Sequence, residues 1–232
     1  MNGLQKTLLS AATLFAATLS SHAQGDWTSS WDEPYTVQAL LGVMQFDDFT
    51  FTHEGTPAET NFDLIPELGG AWATLPKGDK LQYGLECSFL LGFKADSVSG
   101  GFVNGVTYVR IEGSMWMFDL AGGGYINYML GDAARIYAGA GPLIMYIDYN
   151  SDKYTDDTTN PDPEVKESSS STSFSVGAYA RTGIEFRIHD QGYLGLGARG
   201  TWSGVDFSDV GGPNGLAGIA GFISYTVGLN GF

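Results

Sequence analysis

LQYGLECSFLLGFKA, residues 81–95, alternates with a period of two. Leu81, Tyr83, Leu85, Cys87, Phe89, Leu91 and Phe93 fall on one face, and Gln82, Gly84, Glu86, Ser88, Leu90, Gly92 and Lys94 on the other. Successive side chains of a strand point to opposite sides, so one face here is continuously apolar and the other is small or polar. A helix would scatter the same apolar residues around its circumference. Residues 81–95 are therefore expected to form a half-buried β-strand.

The same period runs outward in both directions. Residues 35–46 set Tyr35, Val37, Ala39, Leu41 and Val43 on one face. Residues 62–75 set Leu64, Pro66, Leu68 and Trp72 against Asp63, Glu67 and Gly69, with the proline removing one ladder donor. Over the second half of residues 108–130, Trp116, Phe118, Leu120, Ile126, Tyr128 and Leu130 oppose Asp119 and Asn127. Residues 135–149 offer Tyr137, Leu143, Met145, Ile147 and Tyr149 as an apolar face. Residues 174–188 place Phe174, Val176, Ala178, Ala180, Ile184, Phe186 and Ile188 against Arg181, Glu185 and Arg187. Residues 193–205 place Leu194, Leu196, Ala198 and Trp202 against Tyr193, Arg199 and Ser203, and residues 216–232 close the chain. These segments make eight strands, with no helical stripe among them.

Short and long connections alternate. PKGDK (residues 76–80), GDAA (131–134) and HDQG (189–192) carry turn residues, whereas residues 47–61, 96–107, 150–173 and 206–215 are long. Short turns at one end and long loops at the other are the asymmetry of transmembrane barrels. The polar faces carry Gly84, Gly92, Gly177, Gly183, Gly195 and Gly197, which suits a crowded, narrow lumen. Tyr35, Trp72, Trp116, Tyr128, Tyr137, Tyr149 and Trp202 sit near strand ends, where interfacial aromatic girdles belong. The expected fold class is all-β: an eight-stranded antiparallel up-and-down transmembrane β-barrel with its apolar faces toward lipid. A soluble sandwich or ligand-binding barrel would instead bury those faces as its core.

Residues 1–23, MNGLQKTLLSAATLFAATLSSHA, have Lys6 as their only charge, an apolar stretch and small residues Ser21 and Ala23, the pattern of a cleaved secretory signal. Residues 24–34 form a polar lead-in and residues 35–232 the barrel. Without the leader, 10 basic and 26 acidic residues remain, which argues against the basic face that a nucleic-acid binder presents. Cys87, the single cysteine, has no internal disulfide partner and is read as a small buried apolar side chain.

Together with the terminal Phe232, these features resemble the small outer-membrane barrel family that includes the OmpA transmembrane domain and OmpX. The resemblance implies residence in the outer membrane of a Gram-negative-type bacterium, contact with outer-membrane lipid and lipopolysaccharide, and a role for Phe232 in the signal read by the barrel-assembly machinery. One departure stands out: Ile223, Tyr225, Val227 and Leu229 share a parity that Phe232 does not, and a bulge near Asn230 and Gly231 would reconcile them.

An eight-stranded interior is just wide enough to be filled by side chains. The inward faces supply Glu67, Glu86, Asp119, Arg181, Glu185, Arg187 and Arg199. Buried unpaired ions cost several kcal/mol each, so these groups are expected to form an ion-pair network centred on Arg181 and Arg199 with Glu67 and Glu86. The loop over residues 150–173, with Asp152, Asp156, Asp157, Asp162, Glu164 and Glu167, reads as mobile and solvated, and its order does not match a calcium loop. The expectation is a non-enzymatic integral barrel without cofactor or metal, serving envelope structure or surface interaction through its acidic outer loops, with an extracellular partner that the sequence does not name. One rival is a narrow channel for small solutes. Another is acyl transfer to lipid A, because His53, Asp96 and Ser97 on outer loops resemble groups of the lipid A palmitoyltransferase family; that chemistry needs them within hydrogen-bond reach. His189 is read as a solvated turn residue.

Overall fold

The computed structural model describes residues 35–47, 49–52, 59–74, 77–101, 107–157, 165–189 and 192–229. The leader, the lead-in, His53 and Phe232 lie outside them. Among the described residues, ten strands are formed: β1 Tyr35–Phe46, β2 Thr50–Thr52, β3 Glu59–Asn61, β4 Leu64–Ala73, β5 Leu81–Gly101, β6 Thr107–Met129, β7 Ala134–Asp157, β8 Val165–His189, β9 Gly192–Asp206 and β10 Asn214–Leu229. Eight of them close into a barrel in the order β1, β10, β9, β8, β7, β6, β5, β4, with β4 returning to β1 and every neighbour antiparallel. The remaining two, β2 and β3, pair with each other as a small hairpin in the first long connection.

The apolar face of β5 points outward. Leu81, Tyr83 and Leu85 are exposed, as are Phe118, Leu120 and Ile126 of β6, Phe174 and Val176 of β8, Leu194 and Leu196 of β9, and Ile219 and Ile223 of β10. A belt of this extent is the lipid-facing surface of a membrane barrel, since soluble proteins rarely expose large contiguous apolar patches. Aromatic residues bound it. Tyr35 stacks on Trp72 with ring centroids 5.5 Å apart at the turn end, and Phe93 lies 5.2 Å from Trp116 at the loop end. Cys87 shares the outward parity and is exposed, which corrects its reading as a buried residue.

Strand β7 also departs from the sequence reading. Tyr137, Leu143, Met145, Ile147 and Tyr149 are buried in the lumen, while Ile136, Ile144 and Tyr146 face outward. Both parities of β7 are apolar over residues 143–147, so alternation alone leaves its orientation undecided. Tyr137 and Tyr149 are therefore not girdle residues.

Two long connections are mostly strand. Strands β5 to β8 run for 21, 23, 24 and 25 residues, against 12, 10, 15 and 16 for β1, β4, β9 and β10. A tilted strand needs only about 9–11 residues to cross a bilayer, so β5 to β8 project as a four-stranded sheet beyond the outer interface. The polar run expected as a mobile loop supplies much of it: Ser168 to Ser171 pair in register with Asp152, Ser151, Asn150 and Tyr149. Pro66 is accommodated where a ladder stops. It pairs with Val43 on the β1 side, and the β4–β5 ladder begins one residue later at Glu67 and Gly92. The short turns use Gly78 and Gly131 at φ 103° and 80°, a left-handed backbone that glycine adopts without a Cβ penalty.

The core occupies the outer half of the lumen. Met44, Ile65, Met115, Met117, Leu143 and Met145 line it, and Phe49, Phe51 and Phe62 from the first connection fold down over it. Phe51 stacks on Tyr149 at 3.8 Å between centroids and meets Phe62 and Phe207 edge-on at 5.7 and 5.5 Å. The hairpin is tied to the wall by the Asn61 amide, which donates to Asp96 Oδ2 at 2.8 Å.

Two expectations follow from this arrangement. Cys87→Arg, at the centre of the β5 belt, should cost about 2–4 kcal/mol in reversible unfolding from lipid vesicles, whereas Cys87→Ala should change little. Phe51→Ala should leave the barrel intact but make the first connection sensitive to limited proteolysis, because the hairpin is held chiefly by aromatic packing.

Candidate functional site

Below the apolar core, the inward faces of all eight barrel strands converge on a charged layer. Parity explains each member: Gln38, Glu67, Glu86, Asp119, Arg135, Arg181, Glu185, Arg199 and Thr226 all lie on the buried side of their strands. Glycines on neighbouring inward positions make room for them. A methyl group at Gly139 would run into the Glu86 carboxylate, and one at Gly183 would come within 2.6 Å of the Tyr137 hydroxyl.

The layer is built from three ion pairs. Arg181 embraces Glu86, with Nη2 at 2.5 Å from Oε2 and Nε at 3.0 Å from Oε1, while Tyr179 donates to Oε1 at 2.8 Å. Arg181 Nη1 also donates to Gln38 Oε1 at 2.7 Å, and Gln38 Nε2 passes the link on to Glu185 Oε1 at 2.6 Å. Glu185 accepts from Thr226 at 2.5 Å and from Arg135 Nε at 2.6 Å. Arg199 forms a separate pair with Asp119, its Nη2 standing 2.8 Å from Oδ1 and Oδ2. Each arginine also lies over a tyrosine ring: Arg181 over Tyr137 at 5.3 Å, Arg199 over Tyr179 at 5.0 Å and Arg135 over Tyr193 at 6.0 Å. Buried guanidiniums are thus met by carboxylates, the Gln38 amide and ring faces together, with Arg199 Nε and Nη1 left without a hydrogen-bond partner.

Arg181 and Arg199 are direct cross-strand partners. Like charges in that position destabilise a sheet, and the conflict is relieved because the two side chains turn to different acids. Glu86 lies toward the turn end of β5, whereas Asp119 pairs with Leu90, nearer the loop end.

The expected residues are therefore distributed unevenly. Glu86, Asp119, Arg181, Glu185 and Arg199 meet in the layer, but Arg199 engages Asp119 rather than Glu67. Glu67 is 3% exposed, and its Oε1 has no hydrogen-bond partner. Arg187 shares the inward parity yet is exposed at the turn end. Arg135, Gln38 and Thr226 are additional members. Gln38 was legible as the polar residue between outward Val37 and Ala39; Arg135 was masked by the misassigned parity of β7. Among the described residues, a small cavity of about 20 Å³ lies beside Arg135 and Glu185, and another of about 10 Å³ beside Glu67, Leu40, Leu90 and Phe222.

At the outer rim, adjacent strand residues Asp96 and Ser97 point to opposite faces of β5. The Asp96 carboxylate accepts from the Asn61 and Ser97 amides at 2.8 and 2.9 Å. His53 and the side chains of Asp156, Asp157, Asp162 and His189 lie outside the described residues. Asp206 is held below the ordinary carboxylate range by hydrogen bonds from Ser208, whose amide donates to Oδ1 at 3.0 Å. Among the described residues, no group of three or more histidine, cysteine, aspartate or glutamate side chains converges as a metal site.

No protein-family model matches the chain, and no characterised protein matches it by sequence. Solved structures share its outline. The attachment invasion locus protein Ail of Yersinia pestis is 11% identical with a TM-score of 0.41, covering 84% of this chain and 99% of Ail. OprG of Pseudomonas aeruginosa is 11% identical with a TM-score of 0.43, covering 89% and 100%. The neisserial surface protein NspA is 14% identical with a TM-score of 0.38, covering 87% and 99%. Likeness at this level says nothing of activity, and the strand pairing itself establishes the architecture, that of a closed eight-stranded antiparallel β-barrel with an apolar outer belt.

Proposed function

We propose that the protein is a non-enzymatic component of the outer membrane of a Gram-negative-type bacterium, with a closed lumen and with its interactions made by the projecting sheet and outer loops. The observation that carries this reading is the stacking of two filled layers in one narrow bore. A water path would have to cross the ion pairs around Arg181 and then the aromatic cover formed by Phe49, Phe51 and Phe62, all of which are 0% exposed. Lipid and lipopolysaccharide are the partners suited to the outward belt. Outside it, Glu112 and Glu167 are paired with Arg110 and Lys153, and the exposed carboxylates Glu59, Asp206 and Asp209 present an acidic surface that favours a basic or cation-bridged extracellular partner.

Planar-bilayer recordings of purified protein should show no stable unitary conductance; a stable conductance abolished by Arg181→Ala would overturn the closed-lumen reading. Glu86→Gln should lower the unfolding free energy by about 3–5 kcal/mol in denaturant titrations, since it strips a buried guanidinium of its counter-charge. Mass spectra of lipid A should be the same with and without expression of the protein, and any new acyl species would sink the non-enzymatic reading.

A further inference from the structure

The sheet that projects beyond the bilayer has two edges, and they are finished differently. The β4–β5 ladder stops at Glu67 and Gly92, so β5 continues outward without β4 beside it. That edge is met by the small hairpin, whose Asn61 amide donates to Asp96 Oδ2 at 2.8 Å. On the other side, the β8–β9 ladder stops at Gly177 and Ser203, while β8 stays paired with β7 as far as Val165 and Thr155. Among the described residues, no backbone group pairs with residues 165–173 on the side away from β7. The chain after β9 reaches only their side chains: the Asp206 amide donates to Ser173 Oγ at 3.1 Å, and Ser171 Oγ donates to Asp209 at 3.2 Å.

Every second residue of an edge strand turns its N–H and C=O away from its ladder, which leaves a template for another strand. Proteins usually blunt such edges with proline, bulges or charges. Residues 165–173, VKESSSSTS, contain no proline and pair with β7 without a register shift, and residues 167–170 are exposed. Their charges are confined to Lys166 and Glu167, and Glu167 is drawn back to Lys153 at 3.7 Å.

Charge selects the occupant. On the outward face, Ser168 donates to Asp152 at 2.7 Å and Thr172 to Asp148 at 3.0 Å. On the opposite face lies Asp209, beside Ser171. A strand laid along this edge would therefore meet carboxylates on both of its faces. A second copy of this chain, with a net charge of −15, would bring further acids to them; basic side chains complement them.

We propose that residues 165–173 of β8 bind an extended, lysine- or arginine-bearing segment of a partner protein by strand addition. Main-chain hydrogen bonds hold the segment, and the flanking carboxylates select its side chains. This rests on the projecting sheet being the surface of contact, and it adds the place on that sheet and the form in which the partner binds.

The test uses the full-length barrel in lipid nanodiscs, with a soluble peptide of alternating lysine and threonine as the probe. Binding, read by fluorescence anisotropy, should weaken by about tenfold or more when every peptide nitrogen is methylated, which removes the main-chain donors and keeps the charges. Replacing the lysines by glutamate should abolish it. Amide hydrogen exchange in the native chain should slow at alternate residues of 165–173 when the lysine peptide is added. Asp148→Asn combined with Asp209→Asn should weaken the lysine peptide without changing heat-modifiable gel migration. The peptide and exchange arms use the native sequence, so they remain decisive whatever the variant does. Undiminished binding of the methylated peptide would overturn strand addition while leaving the acidic surface as the contact. Protection confined to other segments, or self-association along β8 that excludes the peptide, would also overturn it. Failure of the lysine peptide to bind at all would overturn both strand addition and the basic partner, and the closed lumen would still be judged separately by the bilayer recordings.

Discussion

Eight strands enclose a narrow bore, so a buried inward side chain finds its partners chiefly among other inward side chains, and Glu67 Oε1 and Arg199 Nε and Nη1 are left without one. The rest of the structure depends on this constraint. Where a large group points in, the neighbouring inward position is small: Gly84 lies against the Tyr125 ring, Gly139 against Glu86, and Gly183 and Gly197 against the Tyr137 hydroxyl. The glycines are less a source of flexibility than of volume, and substitutions there would displace the charged layer before they disturbed the strands.

The constraint also explains why the lumen is stratified. A wholly charged bore would need a partner for each ion, and the opposed pair Arg181 and Arg199 already requires acids at two different heights. Above Asp119 the chain changes chemistry, filling the space with four methionines, Met44, Met115, Met117 and Met145, and then with phenylalanines from the first connection. Methionine suits this position because its unbranched side chain fills irregular gaps. The ion pairs thus sit between an apolar ceiling and a polar mouth, where low dielectric strengthens each pair and penalises any acid left over.

Most of the fold was legible because seven of the eight barrel strands have one plainly apolar face. The exception is β7. Ile144 and Tyr146 face lipid while Leu143, Met145 and Ile147 face the core, so its pattern carries no sign of direction; only pairing with β6 and β8 fixes it. The misplacement of Tyr137 and Tyr149, and the omission of Arg135, come from that single ambiguity. The projecting sheet was obscured for a different reason. With both faces polar and serine-rich, residues 165–173 lack the alternation that marks a half-buried strand, although their backbone pairs in register. In the site, alternation identified which charges point inward but not which partners they choose, because cross-strand register and side-chain reach decide that Arg199 meets Asp119 rather than Glu67.

The unequal strand lengths raise a question of depth that strand geometry alone does not answer. Strands β5 to β8 are each long enough to sit at several heights in a bilayer. Their outward residues select one. On β5 the belt ends at Phe93 and continues as Ala95 and Ser97; on β6 it ends at Trp116, followed by Ser114 and Glu112; on β7 Tyr146 gives way to Asp148 and Asn150; and on β8 Phe174 gives way to Thr172 and Ser170. These boundaries are in register across the sheet, since Phe93 pairs with Trp116, Trp116 with Asp148 and Asp148 with Thr172. Sinking the barrel would carry Glu112 and Asp148 into hydrocarbon. Raising it would draw Lys80, which lies 5.2 Å over the Tyr128 ring at the opposite end, toward the membrane. The charges on the projecting sheet therefore act first as a depth stop, which keeps that sheet wholly outside the bilayer and available for contact.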